Sequence, residues 1–268
     1  RYLARRDPLN KKRHGDRSLK LLSARSQLPE VNLAVVPVPV SPEQGHGTAR
    51  FAPYVGKREQ QNYIGFKLRP AFHDVLDDDR GYVSGAQIDF LAIDGRYYHN
   101  EKTAEGHSEL ESFTLLDIKA LSPRNAFFKP LSWQVKLGWQ RIQEKPEHSL
   151  RFNVIGGGGV TQELGQRLRL SFMGLGNARS RAAFQSDLEV GAGAEASVVW
   201  SLPAHSKLRM AASRWSYEGR NDSDGWHYGV GFNLPLYNVD HALRLEYSRY
   251  DLRQQNTESL QLAWNYYF

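Results

Sequence analysis

The sequence predicts an all-β protein, an antiparallel transmembrane β-barrel of about twelve strands with an extended N-terminal segment. Three observations predict this fold. Apolar and polar residues alternate from about residue 48 to the end, 12% of the residues are aromatic, and cysteine is absent. Because barrel strands alternate lipid-facing apolar with lumen-facing polar residues, a mean hydropathy of −0.58 is compatible with a membrane barrel. A soluble β-sandwich rich in aromatic residues is the alternative.

The first 47 residues are predicted to be a basic linker or the tail of an upstream periplasmic domain, and residues 48–268 the barrel. Residues 1–30 contain nine basic and three acidic residues, which account for the whole net charge of +6. A weak amphipathic helix is expected within residues 14–28, and Pro37, Pro39 and Pro42 predict an extended connector after it. No apolar signal-peptide core opens the chain, so we expect a fragment of a longer precursor. Without a nucleic-acid-binding motif, nucleic acid is not an expected partner.

Twelve segments alternate with a period of two residues, and an even number is typical of single-chain bacterial barrels. They are residues 48–57, 61–72, 85–97, 108–120, 130–142, 148–158, 166–176, 184–200, 206–217, 225–235, 241–251 and 258–268. The alternation slips in 48–57, 108–120 and 206–217, where a β-bulge is expected.

The last segment resembles the C-terminal strand that the outer-membrane barrel assembly machinery reads. Its apolar face ends on an aromatic residue and consists of Leu260, Leu262, Trp264, Tyr266 and Phe268. We therefore expect a location in the bacterial outer membrane, with both termini periplasmic. The expected partners are outer-membrane lipids and lipopolysaccharide, the assembly machinery, and the chain's own upstream periplasmic domain.

The polar faces of the segments carry charges of both signs, which predicts pairing across a narrow lumen. The predicted lumen charges are Lys67, Arg69, Asp89, Lys136, Arg151, Arg167, Arg169, Asp187, Glu189, Glu195, Arg209, Arg244 and Glu246. A pore selective for one ion sign would more naturally carry rings of that sign. The pattern therefore favours a filled interior, although the N-terminal 47 residues could either plug the barrel or hang in the periplasm.

Two connections on the predicted periplasmic side, residues 73–84 and 121–129, are as long as any outer loop. Because functional residues concentrate in long loops, we expect this rim to dock a partner domain. The candidate docking residues are His73, Asp74, Asp77, Arg124, Phe127, Phe128, Lys129 and Trp133. The aromatic residues among them could instead anchor in the membrane interface.

No catalytic residue, metal or cofactor is predicted. The dense carboxylates at 74–79 lack the spacing and distal Glu of an EF-hand, so an Asx-rich turn before Gly81 is the simpler interpretation. A barrel-wall hydrolase would need a serine beside a histidine, for which the chain offers His99, His107 and Ser108 without a supporting motif.

Three motifs resemble one proteobacterial family that is described mainly as a domain of unknown function. They are residues 69–77 (RPAFHDVLD) with Gly81 and Tyr82, residues 85–91 (GAQIDFL), and residues 121–124 (LSPR) with 127–133 (FFKPLSW). The resemblance covers residues 45–268. Full-length members resemble the Lnb-type lipoprotein N-acyltransferases, which implies an upstream periplasmic domain with a Cys/His site. No catalytic residue carries over to this chain.

We therefore predict a membrane anchor and docking platform for a periplasmic, envelope-modifying domain. A small-solute outer-membrane channel is the alternative, and a lipid-modifying enzyme within the barrel wall is a third hypothesis.

Overall fold

The computed structural model describes residues 11–28, 38–99, 106–141, 149–180, 188–218, 224–252 and 255–268. The chain divides into two compact units, Arg1–Pro39 and Val40–Phe268. In the first, helix α1 spans Lys11–Ser26, in agreement with the weak helix that the sequence predicts. Among the described residues, no helix is both long and apolar enough to cross a membrane. Residues 40–47, which the sequence assigns to the linker, belong to the second unit.

The described part of the second unit forms twelve long strands and two short ones. In chain order they are β1 (Arg50–Arg58), β2 (Gln61–Arg69), β3 (Ala71–His73), β4 (Ala86–His99), β5 (Gly106–Ala120), β6 (Pro123–Arg124), β7 (Ser132–Arg141), β8 (Leu150–Leu164), β9 (Leu168–Ser180), β10 (Leu188–Ser201), β11 (Lys207–Tyr217), β12 (Gly225–Pro235), β13 (His241–Leu252) and β14 (Gln255–Tyr267). Two short 3-10 helices span Pro42–Gln44 and Pro203–His205. Each of the twelve predicted segments overlaps one long strand, although several strands extend beyond the predicted bounds.

The long strands close into a barrel. Each pairs antiparallel with its neighbours along the chain, β1 pairs with β14, and β2 pairs with β4 to complete the ring. At the seam between the chain's first and last strands, Arg50 lies opposite Tyr267, and the backbones of Ala49 and Phe268 exchange two hydrogen bonds. The predicted twelve-stranded antiparallel barrel is therefore confirmed.

Two local irregularities have clear causes in the sequence. Pro70 cannot donate a ladder hydrogen bond, and the predicted segment 61–72 accordingly breaks there into β2 and β3. In β5 the register shifts between Thr114 and Leu116, a bulge of the kind that the slipping alternation predicts.

The two faces of the wall differ in polarity as a membrane barrel requires. On β14, Leu260, Leu262, Trp264, Tyr266 and Phe268 are 39% to 58% exposed on the outside. The alternate residues Gln261, Ala263 and Asn265 are buried inside. An apolar outer face and a polar interior are the arrangement of outer-membrane barrels. The chain is thus a membrane β-barrel, and its outer aromatic and aliphatic residues face lipid.

This orientation makes a matched pair of lysine substitutions informative. Val230 lies outside at the middle of β12, and its neighbour Gly229 faces the interior, where a Cβ atom would have no neighbour within 4 Å. We expect Val230→Lys to lower the free energy of unfolding by about 2–4 kcal/mol, because a charge at the bilayer midplane is costly. Gly229→Lys should cost less, as measured by urea unfolding in lipid vesicles. If both substitutions lowered the free energy of unfolding equally, the assignment of Val230 to the outer face and Gly229 to the inner face would be contradicted.

The barrel has two distinct rims. We call the end that holds Arg50 and Tyr267 the terminal rim, because both ends of the barrel chain lie there. The connections at the terminal rim are residues 70–85, 121–131, 165–167, 202–206 and 236–240. At the opposite rim, the connection that the structure describes in full is residues 59–60, and the other strands end or begin there at His99, Gly106, Arg141, Leu150, Ser180, Leu188, Tyr217, Gly225, Leu252 and Gln255.

Candidate lumen site and its stopper loop

Most of the predicted lumen charges lie on the inner face of the wall. These are Lys67, Arg69, Asp89, Lys136, Arg151, Arg169, Glu189, Glu195, Arg209, Arg244 and Glu246. Arg167 is different, because it lies exposed in the turn between β8 and β9 and not in the lumen. Asp187 falls outside the described residues.

Opposite charges on the inner face pair between different strands. Lys67 Nζ lies 2.8 Å from a carboxylate oxygen of Glu246, and Arg69 lies 3.4 Å from Asp89. Ion pairs therefore occupy part of the barrel interior.

Several interior charges were missed in the sequence, among them Asp117 and Lys119 on β5. They lie beyond the register shift at Thr114, which moves the later residues of the strand to the other face. The slipping alternation in this segment was the available signal. Lys119 Nζ lies 3.1 Å from Glu195 and is buried.

Residues 74–85, which we call the stopper loop, leave the terminal rim and enter the lumen. Val75 is buried in an apolar cluster with Leu121, Met173, Leu175 and Val199, of which the last three lie on β9 and β10. Burial of this apolar side chain against the wall holds the loop inside the barrel.

The stopper loop also contacts β11 and β12. Leu76 packs over Gly231 of β12, where a Cβ atom would lie 2.6 Å from Leu76 Cδ1. Lys207 of β11 donates a hydrogen bond to the carbonyl oxygen of Val75 at 3.0 Å and pairs with Asp79 at 2.6 Å. The loop thus contacts separate parts of the wall and occupies part of the lumen near the terminal rim.

A fully buried carboxylate fastens the loop to the remaining wall, and we call this group the Asp77 latch. Asp77 Oδ1 accepts hydrogen bonds from Arg244 at 2.6 Å, Tyr267 at 2.6 Å and Arg50 at 3.3 Å. Arg69 lies 2.8 Å from Asp77 Oδ2. The three arginines and the tyrosine come from β2, β13 and the seam strands β1 and β14, so one carboxylate ties the loop to four strands.

The charges of the latch determine the protonation state of Asp77. Burial alone would raise the pKa of this carboxyl, but the guanidiniums of Arg69, Arg50 and Arg244 outweigh burial and hold the pKa well below its usual range. Asp77 is therefore ionised at neutral pH and compensates several buried positive charges.

The loop carboxylates also form an Asx turn, as the sequence predicts. The backbone N–H of Leu76 donates to Asp74 Oδ1 at 2.8 Å, and that of Asp74 donates to Asp77 Oδ2 at 2.9 Å. Asp79 lies near His73 and Lys207. Although burial raises the pKa of Asp79, the two neighbours lower it to about 2.

Stacked rings join the segment before β1 to the stopper loop. His46, His73 and Tyr82 stack with centroids 4.5 to 5.3 Å apart, and the Tyr82 hydroxyl donates to the carbonyl oxygen of His46 at 2.6 Å. Burial lowers the pKa of His46. Residues 40–47 are thus part of the closure at the terminal rim.

The group most able to hold a metal, among the described residues, is His46, His73 and Asp77, whose ligand atoms lie within 4.8 Å of one another. The electrostatics disfavour a cation there. Asp77 is already surrounded by arginines, and His46 Nε2 and His73 Nδ1 lie 3.1 Å apart in a mutual hydrogen bond. We interpret the group as part of the closure.

An aromatic and basic layer narrows the lumen nearer the opposite rim. Tyr54, Tyr63 and Tyr98 are buried together, and the Arg96 guanidinium lies 4.6 Å from the Tyr63 ring centroid. The Tyr54 hydroxyl donates to Asp94. These contacts occupy the lumen beside β1, β2 and β4.

Two adjoining cavities lie in the lumen among the residues that the structure describes. The larger, about 300 Å³, is lined by charged and amide side chains from strands around the wall. The smaller, about 250 Å³, has Leu76 of the stopper loop in its lining. Both include Arg209 and His227, which connects them into one ionisable interior beneath the loop.

Comparison of the sequence with protein-family models identifies its family. A family model described as "Domain of unknown function (DUF7840)" matches residues 39–267. The chain belongs to this family. Its matched region begins next to Val40, the first residue of the barrel unit. No curated protein matches the sequence.

Several solved outer-membrane barrels are similar to this family member in structure. The COG4313 outer membrane channel from Pseudomonas putida F1 is 13% identical, with a TM-score of 0.48, over 89% of this chain and 100% of that one. The NanC porin is 7% identical, with a TM-score of 0.49, over 81% and 100%. The KdgM porin, solved in complex with disordered oligogalacturonate, is 7% identical, with a TM-score of 0.45, over 82% and 99%.

The family assignment confirms part of the expected resemblance. The chain belongs to a family described as a domain of unknown function, as the motifs predict, but the comparisons give no support for a resemblance to Lnb-type lipoprotein N-acyltransferases.

The candidate docking residues separate into two groups. His73 and Asp77 are buried, and Asp74 is partly buried with its carboxylate 2.7 Å from Arg244. These three hold the stopper loop and do not form an exposed surface. The exposed candidates lie in or next to the connection 121–131. They are Phe127, Phe128, Lys129 and Trp133, and Arg124 is partly exposed.

The residues considered for a barrel-wall hydrolase do not converge. His107 and Ser108 are consecutive on β5, so their side chains leave opposite faces of the strand. The His107 ring stacks on Tyr98 at 5.3 Å. This pair therefore provides no serine–histidine dyad.

Proposed function

We propose that the barrel is a narrow outer-membrane channel for small hydrophilic solutes and that the stopper loop closes it in the conformation described. The observation that carries this proposal is the pair of adjoining cavities, which are lined by ionisable groups and lie inside an apolar outer wall. The interior of an outer-membrane barrel is polar whether or not it conducts, so the charges alone do not indicate a channel. A barrel that serves only as an anchor can fill its interior completely with paired side chains, whereas this lumen keeps two cavities.

We also propose that the terminal rim faces the periplasm. Bacterial barrels carry short periplasmic turns and longer outer loops. Three of the five terminal-rim connections are short, residues 165–167, 202–206 and 236–240. The two long ones, 70–85 and 121–131, contain β3 with the stopper loop and β6. In this orientation the stopper loop closes the periplasmic side.

An anchor and docking platform for an upstream periplasmic domain is the second candidate function. It is supported by the turn 125–128, where Asn125 Oδ1 accepts the backbone N–H groups of Phe127 and Phe128. The two rings are 91% and 71% exposed at the rim where β1 begins. We propose no catalytic role for this chain.

A reversible crosslink distinguishes the two functions. Because the chain has no cysteine, Leu76→Cys with Gly231→Cys introduces a single possible disulfide between the stopper loop and β12. We expect wild-type protein to show single-channel openings in planar bilayers, and the oxidised double variant to be silent until a reductant is added. The two single variants, treated with the same oxidant, are the controls.

Silence of the wild type and of the reduced double variant, with normal heat-modifiable migration on gels, would overturn the channel. The anchor would then be the working function.

A further inference from the structure

The larger cavity is lined by charged side chains of both signs, which determine the kind of small solute that it could bind. Its ionisable lining consists of four cations, Lys119, Lys136, Arg179 and Arg209, and two carboxylates, Asp117 and Glu195, together with His227. Glu195 is shared by Lys119 at 3.1 Å and Arg209 at 3.3 Å. Arg179 is paired with Glu189 at 2.6 Å, which leaves three cations and two carboxylates in the lining.

Lys136 is the most available of these cations. Its ammonium lies 3.9 Å from Asp117, beyond hydrogen-bond distance, and its side chain is 29% exposed to the cavity region. A small anion could therefore contact Lys136 without displacing a tightly bound carboxylate.

Four side chains in the lining of the same cavity carry a buried acceptor atom that lacks a donor within the described part of the chain. The atoms are Gln134 Oε1, Asn153 Oδ1, Asn177 Oδ1 and Asp117 Oδ1, on side chains of residues that are more than nine-tenths buried. A buried acceptor without a donor costs free energy, and a ligand that supplies donors would recover it. The cavity volume of about 300 Å³ corresponds to about ten water molecules, so the ligand must be small.

We propose that the larger cavity binds a small carboxylate that also carries hydroxyl or ammonium donors. The carboxylate would contact Lys136 and Arg209, and the donors would face the buried amide oxygens. This inference rests on the proposed function, because it names the solute class of the same lumen.

Lactate and propionate test the proposal as a matched pair, because they have the same chain length and differ in one hydroxyl group. Binding to the refolded full chain is measured by saturation-transfer difference NMR. We expect propionate to bind about fivefold more weakly than lactate, the effect of one lost hydrogen bond. Alanine, in which an ammonium group replaces the hydroxyl, distinguishes the two kinds of donor.

Two glutamine substitutions locate the site. Lys136→Gln should weaken lactate binding several-fold, whereas Lys57→Gln, on the exposed part of β1, should leave it unchanged. Asn153→Leu should reduce the difference between lactate and propionate. Heat-modifiable migration on gels shows that each variant is folded.

The outcomes separate this inference from the channel. Lactate binding without conductance would support the site and overturn the channel, and conductance without lactate binding would do the reverse. The proposed site would be overturned if lactate and propionate bound equally tightly. It would also be overturned if the Lys136 and Lys57 variants lost lactate affinity to the same extent.

Discussion

Asp77→Asn is expected to open the barrel, raising the fraction of time that single channels conduct by about 100-fold. The amide keeps the size of the side chain but leaves Arg50, Arg69 and Arg244 without this countercharge. Removing one member of a buried ion pair costs about 3–5 kcal/mol. Because this cost falls on the closed conformation, we expect the stopper loop to detach before the barrel unfolds. Single-channel recording in planar bilayers measures the change.

Asp78→Asn is the matched control for this prediction. Asp78 neighbours Asp77 but pairs with Arg80 of the same loop, at 2.5 Å. The substitution should therefore leave the fastening of the loop to the wall intact and conductance unchanged. If Asp77→Asn stayed as quiet as Asp78→Asn, the latch would not control the loop.

Acid titration of the wild type provides an independent check on the latch. The pKa of Asp77 is well below its usual range, and that of Asp79 is about 2, whereas an unfolded Asp titrates near about 3.9. Their stabilising contribution is thus present above about pH 4 and lost as the pH falls through the lowered values. Openings should remain rare down to about pH 4 and increase below it.

Glu189→Gln is expected to produce the largest loss of stability in the barrel wall, about 3–5 kcal/mol. The Glu189 side chain is fully buried, and its Oε2 lies 2.6 Å from Arg179 Nε and 3.7 Å from Arg151 Nη1. The glutamine retains the shape of the side chain but leaves these buried guanidiniums without its charge. Urea unfolding in lipid vesicles, followed by tryptophan fluorescence, measures the difference.

Glu163→Gln is the matched control for the effect of Glu189→Gln on the free energy of unfolding. It removes a carboxylate 3.0 Å from Arg169, but Glu163 is 39% exposed, and such pairs contribute about 1 kcal/mol or less. A comparable loss in both variants would show that burial does not set the strength of these pairs.

The location of the strands was largely predictable from the sequence, because side-chain alternation reports the two faces of a wall directly. The outward residues from Leu260 to Phe268 illustrate this, since lipid on one side and a polar lumen on the other impose a period of two. Alternation failed where the backbone departs from regular pairing. Pro70 ended β2 early, and the bulge in β5 concealed Asp117 and Lys119.

The side-chain contacts at the terminal rim were harder to predict from the sequence than the strands. The carboxylates at 74–79 predict a turn, which is a local property, and the structure contains that turn. Their partners Arg50, Arg244 and Tyr267 lie far away along the chain and meet Asp77 only when β1 and β14 close the barrel. A docking surface at His73, Asp74 and Asp77 was therefore expected where the structure has an internal latch.

By itself, the sequence determined the fold class, the number of strands and the faces that meet lipid, because each follows from local alternation along the chain. The tertiary structure alone decided that the stopper loop enters the lumen and which cavities remain beneath it. Those features depend on closure, which brings side chains from distant strands around one buried carboxylate. The residue pattern of a single strand cannot show which side chains of other strands will contact Asp77.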